Sequence, residues 1–313
     1  MSAAFVETGV QTVVQTGVET ATQAGVETVV ETGVETALDA SHDASLEASL
    51  EASLEASVEA GVETDVEIGA AQAAGPSQPL YARADFRRVA GEALRPGGLA
   101  LTCRALGLAA LPQNALVADL GCGPGATARL LARAGHRVLA LDLSDASLAV
   151  AQGPGVTAIC ASGHRLPLAS GCLDAVFCEC VLSAADAADS GAAESGSADK
   201  ILAETARVLS PGGVLVVSDL YLRGLAGAPG LSAAGAAGGC LAGARGREEL
   251  EAGLAACGLA LFVFEDHSRL LAELAGRLIF AGMSPAGLSD GCRSGARPGY
   301  FLCLARKTAP GAP

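Results

Sequence analysis

Apolar positions follow two different periods along this chain. From Val6 to Ile68 they recur every four residues, as Val or Leu followed by Glu, Asp or Gln. Because an α-helix advances about 100° per residue, a four-residue repeat drifts about 40° per unit and forms no lasting apolar seam. The repeat therefore predicts a disordered acidic tail, and a helix that docks on another surface is the alternative.

Beyond a linker at Ala71–Pro79, apolar runs of strand length alternate with helical ones. The predicted strands are Ala115–Leu120, Arg137–Leu143, Val156–Cys160, Leu173–Cys178, Gly213–Asp219, Leu259–Glu265 and Gly299–Arg306. The predicted helices are Tyr81–Leu94, Leu99–Ala110, Ala126–Ala134, Ala146–Ala151, Ala198–Leu209, Arg247–Cys257 and Ser268–Ala281, with an inserted loop at Ala184–Ser197. This alternation indicates an α/β fold with a parallel sheet. We place a tail and linker at residues 1–79 and the folded domain at residues 80–313.

Charge is distributed unevenly between these two regions. Fourteen of the 34 acidic residues precede Arg83 but no Lys or Arg does, so the other 20 acids balance the 20 bases of the folded domain. A neutral domain offers no electrostatic basis for binding nucleic acid or an anionic membrane. We expect a macromolecular partner, of unknown kind, only for the acidic tail.

The cysteines and the longest apolar stretch bear on compartment. No basic segment followed by an apolar one opens the chain, so the ten cysteines are expected to be reduced and the protein cytoplasmic. Their spacing includes no zinc pattern, and we predict no metal site. The longest apolar stretch, Ala252 to Phe264, is too short to span a bilayer.

The strongest chemical signal is a glycine-rich loop after the first strand. The strand ends in Asp119, and Gly121, Gly123 and Gly125 follow at alternate positions before a helix. Glycine permits positive φ and close backbone approach to a ligand. Asp142 lies at the end of the next strand. At this position of a βαβ unit a carboxylate can accept hydrogen bonds from both ribose hydroxyls. The pattern predicts a nucleoside-containing cofactor.

Two alternatives to this interpretation stay open. Gly121, Gly123 and Ala126 also satisfy the G-x-G-x-x-A dinucleotide pattern, which is weak when it stands alone. Asp119 argues against NAD, because an acid at the strand end would repel a pyrophosphate and attract a cationic amino-acid group. A glycine-rich turn without any ligand is the other alternative.

Taken together, these and later motifs resemble class I methyltransferases that use S-adenosylmethionine (SAM), particularly the ubiquinone/menaquinone-biosynthesis group. The similarity covers roughly Leu80 to Lys307. It is carried by Asp119–Gly125, Asp142, Leu166-Pro167-Leu168, Leu173-Asp174-Ala175-Val176 and Ala206-Arg207-Val208-Leu209-Ser210-Pro211-Gly212-Gly213. The resemblance implies a Rossmann-like seven-stranded sheet with helices on both faces and only the last strand antiparallel.

The resemblance also implies a set of cofactor-binding residues. Asp119 and the backbone of Gly121, Cys122, Gly123 and Gly125 would hold the methionine part of SAM. Asp142 would hold the ribose, Leu143 would flank the adenine, and Ser162 with Gly163 stands where the family usually carries an Asp for the adenine amino group. Cys178, at the end of the fourth strand, completes the predicted cofactor set.

The end of the fourth strand faces the transferred methyl group in this fold, and it carries two cysteines. Strand alternation predicts that Cys178 and Cys180 share one face, with Glu179 opposite. Cys180 and Cys240 lie in segments that resemble the substrate-binding cysteines of arsenite methyltransferases, and thiolates suit a soft acceptor. The alternative is that both are buried, inert thiols. His267, which follows Asp266, is a candidate base, or this pair caps a helix.

These observations predict an enzyme that transfers a methyl group from SAM to a small-molecule acceptor. Methylation of a thiophilic or metalloid acceptor such as arsenite is one alternative. A SAM-binding protein without catalysis, recruited through its acidic tail, is another.

Overall fold

The sheet is the frame on which the rest of the chain is arranged. The computed structural model describes residues 83–189, 196–224, 240–283 and 297–309, so the predicted tail and the boundary at residue 80 lie outside it. The strands are β1 (Leu116–Leu120), β2 (Arg137–Asp142), β3 (Val156–Cys160), β4 (Leu173–Glu179), β5 (Leu209–Arg223), β6 (Arg245–Gly246), β7 (Leu259–Asp266) and β8 (Arg297–Lys307).

The strand order confirms the predicted fold. Seven strands follow one another in the order β3-β2-β1-β4-β5-β8-β7, and the two-residue β6 pairs with the end of β5. Strands β1 to β5 pair in parallel, whereas β8 runs antiparallel to both of its neighbours. Among the described strands, β8 alone is antiparallel, as the family resemblance implied.

Helices cover both faces of this sheet. They are α1 (Ala84–Ala90), α2 (Gly98–Ala109), α3 (Ala126–Arg133), α4 (Asp145–Ala151), α5 (Leu182–Asp189), α6 (Ser197–Val208), α7 (Arg247–Ala256) and α8 (Ser268–Phe280). Buried side chains from α2, α3, α4 and α8 form one apolar cluster with the sheet, and those from α5, α6 and α7 form a second. None of the described helices is long and apolar enough to cross a membrane.

Two predicted elements differ from the structure. The segment Ala184–Ser197 was predicted to be a loop, but residues 184–189 belong to α5 and Ser197 begins α6. Small and acidic residues suggested a loop, yet alanine has the highest helix propensity, and α5 is rich in it. The helix predicted to end at Leu94 ends at Ala90, because Gly91 follows it at φ 76°.

Two motifs of the resemblance hold elements of the fold together. Asp174 at the start of β4 accepts a hydrogen bond from the Leu116 backbone N–H at 2.8 Å, which ties β4 to β1. Arg207 on α6 donates to the carbonyl oxygens of Leu166 and Leu168 at 3.2 and 2.9 Å. These contacts assign the two motifs to fold stability rather than to chemistry.

Candidate active site

The glycine loop joins β1 to α3 and lies directly over the end of β2. The backbone N–H groups of Gly121 and Cys122 both donate to the Leu141 carbonyl oxygen, at 2.7 and 3.0 Å. Gly121 has φ 70°, and a Cβ added there would lie 2.5 Å from a methyl carbon of Val181. Because non-glycine residues rarely adopt such a φ, this position requires glycine on two counts.

The other two glycines of the loop differ in what surrounds them. Gly125, at φ 83°, lies so close to α4 that an added Cβ would be 2.6 Å from the Ala151 Cα. Gly123, at φ 51°, would direct an added Cβ into open space. Gly125 thus permits close packing of two helices, whereas Gly123 leaves the floor of a cavity unobstructed.

A cavity of about 600 Å³ opens above this loop, at the carboxyl ends of the central strands. That edge of a parallel sheet is where ligands bind in open α/β folds. Of the predicted site residues, those that line the cavity are Asp119, Gly121, Cys122, Gly123, Asp142, Leu143, Ser162, Gly163 and Cys180. Gly125 lies just behind the wall. Thus the structure gathers most of the predicted cofactor residues around one space, and their contact with a ligand stays a prediction.

Asp142 is held in place while keeping acceptor capacity. Its Oδ2 accepts a hydrogen bond from the Gly123 N–H at 2.9 Å, and its Oδ1 accepts one from the Ser144 N–H at 2.8 Å. Each carboxylate oxygen has two lone pairs, so both can accept another hydrogen bond. The adjacent Leu143 is 74% exposed at the cavity edge. An apolar side chain left in solvent beside a polar pocket suits the face of a planar ring.

Asp119 is the most perturbed carboxyl group of the cavity. It is 2% exposed, and burial together with the nearby Glu179 raises the pKa of Asp119 to about 7, although Arg95 and the Ala128 N–H act in the opposite direction. Its Oδ2 has no hydrogen-bond partner within the described part of the chain. A buried acceptor without a protein partner is costly, so this position calls for a donor from a water molecule or a ligand.

A buried ion pair that the sequence did not predict lies next to Asp119. Arg95 Nη2 is 2.7 Å from Glu179 Oε2, and both side chains are almost fully buried while lining the cavity. Thr102 and Thr127 donate to the two Glu179 oxygens at 3.1 and 2.6 Å, and Arg95 in turn donates to both threonines. Burial lowers the pKa of Arg95, but Glu179, Tyr300, Cys180 and Asp119 together outweigh burial and hold this pKa above its ordinary value.

Arg95 nevertheless keeps one unsatisfied donor. Its Nε is buried and unpartnered among the residues that the structure describes. Arg95 and Asp119 both line the cavity, and each keeps one buried polar atom without a partner in the described part of the chain. A ligand with one cationic and one anionic group has the donor and the acceptor that these two atoms lack.

The prediction that Cys178 and Cys180 share one face of the strand is wrong. Cys178 is 1% exposed and belongs to the apolar cluster under α5, α6 and α7, away from the cavity wall. Cys180 follows the end of β4 with φ 57°, a left-handed conformation that interrupts the strand alternation, and it packs against the opposite cluster. Its Sγ lies 3.2 Å from the Tyr300 hydroxyl. Cys178 is thus a core residue, and its assignment to the cofactor site does not fit the structure.

The remaining two candidates are not part of the described cavity wall. The backbone of Cys240 lies in a short 3-10 helix, Cys240–Gly243, and its side chain is outside the described structure. His267 precedes α8, and its Nε2 lies 2.8 Å from Glu265 Oε2, which also pairs with Arg104. Asp266 accepts a hydrogen bond from the Ser268 N–H at 2.8 Å, so it caps α8. Asp266 therefore has the helix-capping role that was the alternative for this pair, and a catalytic role for His267 lacks geometric support.

Cys122 lines the cavity through its place in the loop. Burial raises the pKa of its thiol, so the group is neutral at physiological pH. Its Sγ lies 3.4 Å from the Gly123 carbonyl oxygen. Cys122 contributes shape and backbone geometry to the loop.

One sequence signal could have revealed Glu179. It is an acid at the end of an apolar strand, as Asp119 is, and β1 and β4 are neighbours. Arg95 gave no such signal, because it lies in a loop between two short helices and is 84 positions away from Glu179.

Comparison with known proteins finds a family match over the central part of the chain. Residues 118–217 match the model of the "Methyltransferase domain" family. A curated relative, the malonyl-[acyl-carrier protein] O-methyltransferase of Pectobacterium atrosepticum, is 33% identical over 155 residues, which cover 48% of this chain. The chain spans about half the length of that relative, 52%.

Solved structures share the fold at low sequence identity. The [4+2]-cyclase SpnF aligns with a TM-score of 0.53 and 24% identity over 67% of this chain and 81% of its own. Phosphoethanolamine N-methyltransferase 2 of Haemonchus contortus aligns with a TM-score of 0.55 and 20% identity over 72% and 56%. Geranyl diphosphate C-methyltransferase of Streptomyces coelicolor aligns with a TM-score of 0.52 and 17% identity over 75% and 83%. A cyclase among them illustrates that the fold alone does not define the reaction.

Proposed function

We propose that the protein transfers a methyl group from SAM to a small-molecule acceptor, on the premise that residues 118–217 match the methyltransferase domain family and that the fold is shared with solved methyltransferases. The relatives whose names include methyltransferase support this proposal. The geometry of the cavity supports it independently, as follows.

The observation that carries the proposal is the pair of unsatisfied polar atoms, Asp119 Oδ2 and Arg95 Nε. The amino-acid end of SAM is a zwitterion, with an ammonium group to donate to Asp119 and a carboxylate to accept from Arg95. Hydrogen bonds between charged groups are the stronger kind, about 1.5–3 kcal/mol each. A nicotinamide dinucleotide has no comparable zwitterionic end, and its pyrophosphate would meet the Asp119 carboxylate.

The rest of SAM matches the remaining polar groups of the cavity. Asp142 would accept hydrogen bonds from the ribose hydroxyls, and Leu143 would cover one face of the adenine. Ser162 and Gly163 lie at the adenine side, where the Ser162 hydroxyl already accepts from the His164 N–H at 3.3 Å. Gly123 leaves room beneath the sugar.

The reaction requires position more than acid–base chemistry. When bound, SAM supplies an electrophilic methyl group on a sulfonium. The protein must hold the acceptor in line at roughly 3–3.5 Å and exclude water. The buried Arg95–Glu179 pair lies in the lining of the cavity, where Thr102 and Thr127 fix the Glu179 carboxylate by hydrogen bonds.

Calorimetric titration with S-adenosylhomocysteine (SAH) tests the cofactor assignment. We expect binding by the full chain, and a loss of at least tenfold in affinity for Asp119→Asn and for Arg95→Met, since each removes a charged hydrogen bond. Glu92→Gln is the matched control, because Glu92 lines the same cavity but is 79% exposed at its edge. NAD that binds more tightly than SAH would overturn the proposal.

A thiophilic acceptor is a second candidate for this same reaction. It is supported by Cys180, which lines the cavity in a left-handed conformation that non-glycine residues rarely adopt. We expect Cys180→Ser to abolish SAM-dependent methylation of arsenite and to preserve SAH binding. Wild-type protein that binds SAH but leaves arsenite unmethylated would remove this candidate.

Deletion of the tail and turnover assays distinguish a SAM-binding protein without catalysis from these two methyltransferase candidates. We propose that the tail recruits a partner and takes no part in methyl transfer, so a chain lacking residues 1–75 should keep its activity and its SAH affinity. SAH binding with no methyl transfer to any acceptor would favour the non-catalytic alternative.

A further inference from the structure

The cavity has a second half that the proposed cofactor does not use. The groups assigned to SAM come from the end of β1 and the loop after it, from the ends of β2 and β3, and from Arg95 before α2. Seven further lining residues come from α1, α5, β5 and α8. Six of them are apolar, and we name these six the acceptor wall: Phe86, Ala184, Ala185, Leu220, Leu271 and Leu274. The seventh is Arg87. The two halves meet at Cys180 and Glu179, at the end of β4.

Helix α5 contributes the acceptor wall's small residues, and it is firmly anchored. The Ser183 N–H and hydroxyl both donate to the buried Asp219 carboxylate, which caps the helix. Farther along, Arg245 pairs with Asp186 at 2.6 Å, and the Asp186 Oδ1 accepts from the Ala198 N–H. An apolar wall on an anchored helix is a preformed binding surface.

A charged group on the methyl acceptor would find an oppositely charged side chain only at the edge of this region. The buried ions, Arg95 and Glu179, are paired with each other. Of the other charged residues in this part of the lining, Arg87 and Glu92 are both exposed, at the cavity edge. A charged group buried deep against the acceptor wall would therefore lose its hydration without gaining a partner, which is costly.

We infer that the methyl acceptor is a molecule with an uncharged, apolar body that packs against the acceptor wall. This inference rests on the proposed function and narrows its substrate class: alkyl-, alkenyl- or aryl-bearing acceptors bind, and small, highly charged metabolites do not. The acceptor's reactive atom lies toward Cys180, where the wall meets the cofactor half.

A homologous series of ligands tests the inference. Alkyl esters of 4-hydroxybenzoic acid, from methyl to hexyl, are titrated into the full-length protein saturated with SAH, beside 4-hydroxybenzoate itself. We expect affinity to rise about three- to fourfold per added methylene, the factor for burying one CH₂ group, until the chain outgrows the cavity. The charged acid should bind at least tenfold more weakly than the butyl ester.

Two variants locate the site. In Ala184→Phe the larger side chain occupies space at the acceptor wall and should weaken binding of the hexyl ester at least tenfold. Ala184→Leu should weaken it less, and both variants should retain SAH affinity. Ala272→Phe makes the same change on the exposed side of α8 and should leave both affinities unchanged. Retained SAH binding with ester affinity that is independent of chain length, or equal losses in Ala184→Phe and Ala272→Phe, would overturn the inference alone. A wild-type protein that fails to bind SAH would overturn the proposed function and this inference with it.

Discussion

Asp119 makes an unusual prediction about stability in the absence of ligand. Its pKa rises from 3.8 to about 7 on folding, so the folded domain favours the protonated carboxyl. The stability that this group confers is fully present below pH 3.8 and is lost as the pH rises through 7. At 1.36 kcal/mol per pKa unit, ionising Asp119 destabilises the folded protein by about 4 kcal/mol at pH 8. Roughly 2.5 kcal/mol of this develops between pH 5 and pH 8.

Asp119→Asn removes that penalty, because the amide is neutral and similar in shape. We therefore expect the ligand-free variant to be more stable than the wild type at pH 8, by an amount that shrinks by about 2.5 kcal/mol at pH 5. Urea unfolding of both proteins at several pH values gives the difference directly. Asp145→Asn, on the exposed first turn of α4, is the matched control for the Asp-to-Asn substitution itself.

A difference between Asp119→Asn and the wild type that does not change with pH would refute the reasoning. So would a variant that is less stable than the wild type throughout. Either result would mean that Asp119 is already satisfied in the ligand-free protein. The same variant must lose SAH affinity, which couples a gain in stability to a loss of binding, as is common for residues that serve ligands.

Three further predictions concern Asp119, the glycine loop and the buried Arg95–Glu179 pair. Because only ionised Asp119 binds an ammonium group, its pKa of about 7 predicts that SAH affinity falls about eightfold from pH 7.5 to pH 6, and calorimetry that finds no change would contradict this. In Gly125→Ala the added Cβ clashes with the α4 backbone, so this variant should lower the thermal midpoint sharply. Gly123→Ala should cost only about 1–2 kcal/mol of backbone strain and should act mainly on SAH affinity. Equal thermal midpoints of the two variants would be inconsistent with the loop geometry. Arg95→Met and Glu179→Gln each strand one member of a buried ion pair and should destabilise by about 3–5 kcal/mol, and the double variant by much less than both together, as measured in a double-mutant cycle.

The sheet could be predicted because its strands are nearly continuous apolar runs bounded by glycine and polar residues. Buried parallel strands read this way whatever their partners are. The end of β4 could not be predicted in the same way. Cys180 leaves the strand at φ 57°, so a rule of alternation that holds through Phe177 and Cys178 fails two residues later.

The cofactor half of the cavity was accessible from sequence because its residues are local. The glycine loop and Asp142 lie within one βαβ unit of about 25 residues, and their spacing carries the information. Arg95, Thr102, Thr127 and Glu179 come from four separate segments that meet only after folding. No spacing within the sequence encodes such a network. The acceptor wall was missed for a related reason, since α5 was predicted to be a loop.

The most direct test of the cofactor assignment is a crystal structure of the full chain grown with SAH. We predict that the ligand's ammonium group lies within hydrogen-bond distance of Asp119 Oδ2, roughly 2.7–3.2 Å, and that its carboxylate accepts from Arg95 Nε. SAH bound with its amino-acid end elsewhere, leaving both atoms unpartnered, would contradict the central claim.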